Sequence, residues 1–152
     1  MKKTKIIAFV LVVAMAALAL VACTPASPRV KINCTISIVV DGEKLLDSYA
    51  YTVSGTEEKM PTVLQTVREA LTVADIQHEA DDEEFLSVTI NGKTYARGMD
   101  EENVYSWIYT VNGKEPTSGR MHNNVVEEGA SYELELISIP LDNSVAEDEP
   151  AE

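Results

Sequence analysis

The sequence predicts an α+β domain, a mixed sheet with one helix packed on it, from three observations. Apolar residues alternate with polar ones through residues 29–40, 104–111 and 131–139, the period of half-buried strands. One stretch, residues 61–71, changes to three- and four-residue apolar spacing, the stripe of an amphipathic helix. Two Asn-Gly pairs, Asn91-Gly92 and Asn112-Gly113, close alternating runs. Asn-Gly in that position is the strongest short-range sign of a hairpin, because both residues tolerate positive φ.

The N-terminus sets the compartment. Lys2, Lys3 and Lys5 precede 17 uncharged residues, 6–22. A membrane-spanning helix needs roughly 20 apolar residues, so this run is short for a span and suits the core of a secretory signal. It ends in Leu20-Val21-Ala22-Cys23, which resembles a bacterial lipobox. That resemblance implies cleavage before Cys23 and acylation of its sulfur, with membrane lipid as the partner. Two or more acyl chains hold a protein stably where one is marginal. The expected location is the outer side of a cell membrane or the periplasm, with residues 23–30 as a Pro-containing tether.

Cleavage changes the charge. All 25 acidic residues follow Cys23 and three of the 12 basic ones precede it, which leaves nine against 25, a net charge of −16. A nucleic-acid partner needs a basic footprint and is excluded on this balance. The acidity favours neutral or cationic partners, and it equally suits solubility on a crowded cell exterior. Past Cys23 the one cysteine is Cys34, so no disulfide framework can form. It falls on the apolar face of the first strand and reads as a small buried hydrophobe.

The elements follow in order. The first strand, 29–40, puts its apolar residues on even positions and turns at Asp41-Gly42 into a second strand, 43–53. Residues 54–59 break the strand pattern. The helix is expected over 61–71, with Pro61 in its first turn and Glu57 and Glu58 complementing its N-terminus. Residues 75–84 read as an acidic loop carrying His78, and 85–90 as a strand returning through 93–96. A polar loop, 98–103, leads to the aromatic strand 104–111, and a long loop, 114–124, follows it. Pro140 ends the last strand, 131–139, and 141–152 forms an acidic tail with too few apolar residues to fold. Residues 31–140 make one domain, and a helix crossing after a first hairpin suggests the β-grasp arrangement. The two Asn-Gly turns sit 21 residues apart in a near-repeat, and read as the hairpins of one sheet rather than a duplicated site.

Catalytic chemistry finds little support. His78 and His122 fall in expected loops without metal-ligand spacing, and no nucleophile elbow, phosphate loop or dinucleotide fingerprint occurs. The acidic clusters 81–84 and 100–102 lack the spacing of a calcium loop and read as solvated. The chain is therefore expected to be no enzyme and to hold no resident cofactor or metal. Tyr105, Trp107 and Tyr109 share one strand face, which is either core or binding surface. The loops after the two turns offer Tyr95, Arg97 and Met99, then Met121 and His122. With Trp107 these six are the candidate ligand-binding residues.

Three motifs carry a family resemblance: Ile90-Asn91-Gly92, Trp107-Ile108-Tyr109-Thr110-Val111-Asn112-Gly113, and Val126-Glu127-Glu128-Gly129 before the last strand. Their combination resembles the bacterial surface domain related to the C-terminal β-domain of transcobalamin and intrinsic factor. Ser106 stands where that pattern usually has glycine before the tryptophan. The resemblance implies a β-grasp fold and cobalamin, or a related corrinoid, as a transported ligand, with an uptake transporter as a further partner. A lipid-anchored monomer capturing a corrinoid is the leading expectation. The alternative is a surface module that recognises a protein or glycan.

Overall fold

The structure, a computed structural model, describes residues 27–116 and 119–141. The signal segment 1–22, Cys23, the first part of the tether and the tail from residue 142 lie outside the described residues.

Alternation across the first run produces β1 (Arg29–Val40), which pairs antiparallel with β2 (Glu43–Thr56) through a turn at Asp41-Gly42. Both turn residues have positive φ, 51° and 76°, the type I′ geometry whose twist matches the flanking strands. The ladder slips between Ile36 and Val39, and the bulge is closed by the Ser48 N–H donating to the buried Ser37 hydroxyl at 3.0 Å. Strand β2 runs three residues past its expected end, because Ser54, Gly55 and Thr56 pair with Lys31, Val30 and Arg29. Gly55 also lets Pro61 pack against the strand; a Cβ there would lie 2.5 Å from Pro61 Cδ.

The helix α1 (Val63–Val73) begins two residues later than the apolar spacing suggests. Its cap is Thr62, whose hydroxyl accepts the Gln65 N–H at 3.2 Å. Pro61 thus precedes the helix. Glu57 and Glu58 belong to a turn tied by Thr56 and Lys59, and the first helical turn holds no acidic residue. At the other end Asp75 takes the left-handed conformation, φ 57°. The Ile76 and Asp75 N–H groups donate to the Leu71 and Thr72 carbonyls, which is the Schellman closure. Val63, Leu64, Val67, Ala70 and Leu71 form the buried face.

After the helix the chain builds a second sheet, which the sequence does not announce. It contains β3 (Gln77–Ala80), β4 (Phe85–Ile90) and β5 (Lys93–Ala96), in that order. The acidic stretch expected to be a loop thus contains a strand, and His78 lies on it. The polar stretch after residue 97 also contributes a two-residue strand, β6 (Gly98–Met99), paired with β7 (Asn103–Val111). The last strand, β8 (Ser131–Pro140), includes Pro140 and inserts between β1 and β7, parallel to the former and antiparallel to the latter. The large sheet has the order β2-β1-β8-β7-β6. A hairpin, a crossing helix and a last strand laid parallel to the first at the sheet centre make a β-grasp-like α+β fold. Asn91-Gly92 joins β4 to β5 in the small sheet, and Asn112-Gly113 ends β7 in the large one. They are turns of two sheets rather than one.

One core joins these parts. Ile32, Ile36, Ile38 and Val53 of the hairpin, Tyr132 and Leu134 of β8, and the helix face pack together with Phe85 and Val88 of the small sheet. Cys34 is buried among them, and burial followed by the nearby Glu128 carboxylate pushes its thiol pKa up.

Candidate functional site

Burial grades along the aromatic strand. Tyr109 is 5% exposed and belongs to the core, while Trp107 is half-buried at the seam between the two sheets. The Trp107 ring meets the Phe85 edge at 5.2 Å between centroids and 77° between planes, and its Nε1–H donates to the Leu86 carbonyl at 3.1 Å. The same carbonyl accepts the Arg97 N–H at 2.9 Å. Tyr105 lies nearer the surface and donates its hydroxyl to Asp100 at 2.9 Å. Asp100 also accepts the Glu102 and Asn103 N–H groups, and these backbone bonds, then Tyr105, hold its pKa down. One strand face thus serves as core at Tyr109 and as cleft wall at Trp107.

Beside Trp107 a cleft of about 120 Å³ opens where β7, the start of β4 and the segment following residue 118 converge. Phe85, Trp107 and Met121 supply its apolar surface, and Tyr109, Ser106 and Gly119 complete the wall. Met121 is buried on a short 3-10 turn, Met121–Asn123. Two ion pairs flank the opening: Arg97 with Glu84, and Arg120 with Glu83 at 2.9 Å. All four side chains are substantially exposed, so each pair contributes about 0–1 kcal/mol and serves to place polar groups rather than to hold the fold. The His122 Nδ1–H donates to the Glu83 carbonyl at 2.8 Å, which leaves Nε2 outside that bond. Tyr109 and Asn124 are in contact through hydroxyl and amide; burial raises the Tyr109 pKa and the Asn124 contact opposes the rise.

Of the six residues singled out in the sequence, Arg97, Trp107 and Met121 line this cleft, and His122 is bonded to its rim. Tyr95 does not reach it. It lines a neighbouring hollow with Tyr105, and Lys93 sits over its ring at 4.8 Å. Met99 is 74% exposed on β6 and stands apart from both. Glu83, Glu84 and Arg120 escaped the sequence reasoning. The acidic cluster carrying the two glutamates looks like a solvated loop until two arginines distant in sequence are placed against it.

A cleft this small lies below the ~300–1,000 Å³ of pockets that enclose a whole ligand, and it suits gripping one edge of a larger molecule. Among the described residues no group of three or more His, Cys, Asp or Glu side chains is placed to hold a metal ion.

Fold and cleft together define a β-grasp-like domain with an aromatic notch at its sheet seam. No protein-family model matches the chain, and no curated protein matches it. Among solved structures it is similar to haptocorrin in complex with Cbi, with 16% identity and a TM-score of 0.47 over 76% of this chain. The match spans 27% of the haptocorrin chain, about a quarter of its length. It is also similar to a protein from Ruminococcus gnavus ATCC 29149 described as metal-binding, with 13% identity and a TM-score of 0.39 over 71% of this chain and 98% of that one. At these values neither likeness assigns a family.

Proposed function

We propose that this chain is a lipid-anchored capture protein that grips the edge of a corrinoid in the Trp107 cleft and passes it to an uptake system. The observation that carries the proposal is the convergence on one half-buried tryptophan of two segments that follow the Asn-Gly turns, one just after β5 and one on the short 3-10 turn at Met121–Asn123. Arg97 comes from the first segment, between β5 and β6, and Met121 and His122 from the second. A corrinoid presents an apolar macrocycle with amide groups on its rim. Trp107, Phe85 and Met121 suit the former, and the Glu84–Arg97 and Glu83–Arg120 pairs suit the latter as acceptors and donors. The three motifs shared with the transcobalamin-type β-domain support the same ligand class. The lipobox-like run before Cys23 supports the anchor. No catalytic role is proposed for any residue.

The test is a titration of the full chain, held in detergent, with cyanocobalamin. Trp107 is the single tryptophan, so its fluorescence reports the cleft directly. Saturable quenching with matching calorimetric heat is expected, and Trp107→Phe should keep the heat better than Trp107→Ala. Absence of heat and of quenching at high micromolar cyanocobalamin would sink the corrinoid proposal and favour a protein or glycan partner.

A further inference from the structure

The strand register sets the cleft far from the start of the domain. Val40 at the end of β1 aligns with Leu136, and Leu136 with Trp107. Arg29 lies at the opposite end of β1, 12 residues long, or about 36 Å away at ~3.3 Å per residue. At that end an open hollow of about 330 Å³ is lined by Arg29, Ser54, Thr56, Lys59 and Gln65, with Gly55 and Pro61 at its base.

The hollow is cationic in an acidic protein. No carboxylate lines it; Glu57 and Glu58, in the same turn as Lys59, are exposed outside it. Lys44, Arg97 and Arg120 each hold a glutamate or aspartate, but among the described residues neither Arg29 nor Lys59 forms an ion pair. The Gln65 amide donates one N–H to Glu69 at 2.9 Å and the Thr56 hydroxyl accepts the Lys59 N–H at 3.1 Å, so the charged donors of the lining are the Arg29 guanidinium and the Lys59 ammonium. A guanidinium and an ammonium lining one hollow form a donor set for a phosphate group.

We propose that this hollow seats the phosphodiester headgroup of an anionic lipid and docks the domain on the membrane beside its own anchor. The inference rests on the lipid-anchor part of the function proposed above. Five residues separate Cys23 from Arg29, a reach of at most ~20 Å from one to the other, so an acylated Cys23 keeps the hollow near the headgroup layer. The net charge opposes approach at long range. At physiological salt charges beyond ~8 Å are largely screened, and contact is decided by Arg29 and Lys59. Docked this way, the Trp107 cleft opens at the end of the domain away from the bilayer.

The experiment uses the full processed chain in lipid nanodiscs with spin-labelled headgroups, one set zwitterionic and one containing phosphatidylglycerol. In the phosphatidylglycerol discs the Thr56 and Lys59 amide signals should broaden several-fold more than in the zwitterionic discs, while Asn91 and Gly92 stay sharp. The double variant Arg29→Glu, Lys59→Glu should lose the broadening while keeping its amide spectrum elsewhere and its place in the disc. Equal broadening in both lipids, or none in a chain whose Cys23 is acylated by mass spectrometry, would overturn the docking alone. An unacylated Cys23 would overturn the anchor and the docking together.

Discussion

Replacing Trp107 separates packing from hydrogen bonding at the seam of the two sheets. Full truncation of a buried aromatic costs about 3–5 kcal/mol. Trp107 is half-buried, so Trp107→Ala should cost about 2–3 kcal/mol, including the edge-to-face contact with Phe85. Trp107→Phe keeps most of the ring and loses the Nε1–H bond, a net loss of about 0.5–1.5 kcal/mol. The Leu86 carbonyl is not orphaned by that change, because the Arg97 N–H still donates to it. For a domain of roughly 110 residues these figures correspond to a Tm lower by about 10 °C for alanine and about 4 °C for phenylalanine. Thermal unfolding followed by far-ultraviolet circular dichroism measures both without needing the tryptophan signal. If the phenylalanine variant falls as far as the alanine variant, the hydrogen bond dominates and the packing argument is wrong.

Three further perturbations follow from local geometry. Asp75→Gly should stabilise the chain by about 0.5–1 kcal/mol in urea unfolding, since it relieves an L-residue at φ 57° and removes a negative charge from the helix C-terminus; an unchanged or lowered midpoint refutes this. Gly55→Ala should cost about 1–3 kcal/mol from its collision with Pro61 and the Lys59 carbonyl, whereas Gly98→Ala, which meets nothing, should leave Tm nearly unchanged. Glu128 accepts both the Asn33 side-chain amide and the Asn33 backbone N–H, and these bonds hold its pKa below the ordinary glutamate value. A carboxylate depressed on folding contributes stability above its unfolded pKa and loses it as pH falls through the folded one. The gap in Tm between the parent and Glu128→Gln should therefore be widest near neutrality and shrink below about pH 4. A gap independent of pH would refute the role of the charged form.

Much of the scaffold is legible in local pattern. The strict alternation of Ile32, Cys34, Ile36 and Ile38 gives β1, and Tyr132, Leu134 and Leu136 give β8, because each faces one core across a pleated ladder. The helix stripe from Val63 to Leu71 is equally clear, and its bounds alone shift, starting two residues late because Thr62 rather than a residue before Pro61 caps it and ending two residues late at Val73. Strand β3 is hidden because it lies at the edge of a small sheet and alternates exposed with half-buried residues. The split into two sheets is hidden for a different reason. Asn91-Gly92 and Asn112-Gly113 have the same φ angles within a few degrees, so nothing local says which sheet each turn serves. Half of the cleft could be found from the loops that follow those turns. The rest depends on pairs such as Arg120 with Glu83, 37 residues apart, which only the tertiary fold brings together.

The position of β8 has a consequence for how the chain acquires its structure. The strand made last is the one every other part of the large sheet leans on: β1 on one side and β7 on the other. Until residues 131–140 are available, the β1–β2 hairpin and the β6–β7 pair have no strand between them and the helix has no complete sheet to cover. Such a core closes through contacts far apart in sequence, which makes folding slow and cooperative rather than stepwise from the N-terminus. A chain still being synthesised therefore lacks the strand that unites the two halves of its large sheet, and a chain truncated before Ser131 should lose the cooperative unfolding of the whole domain.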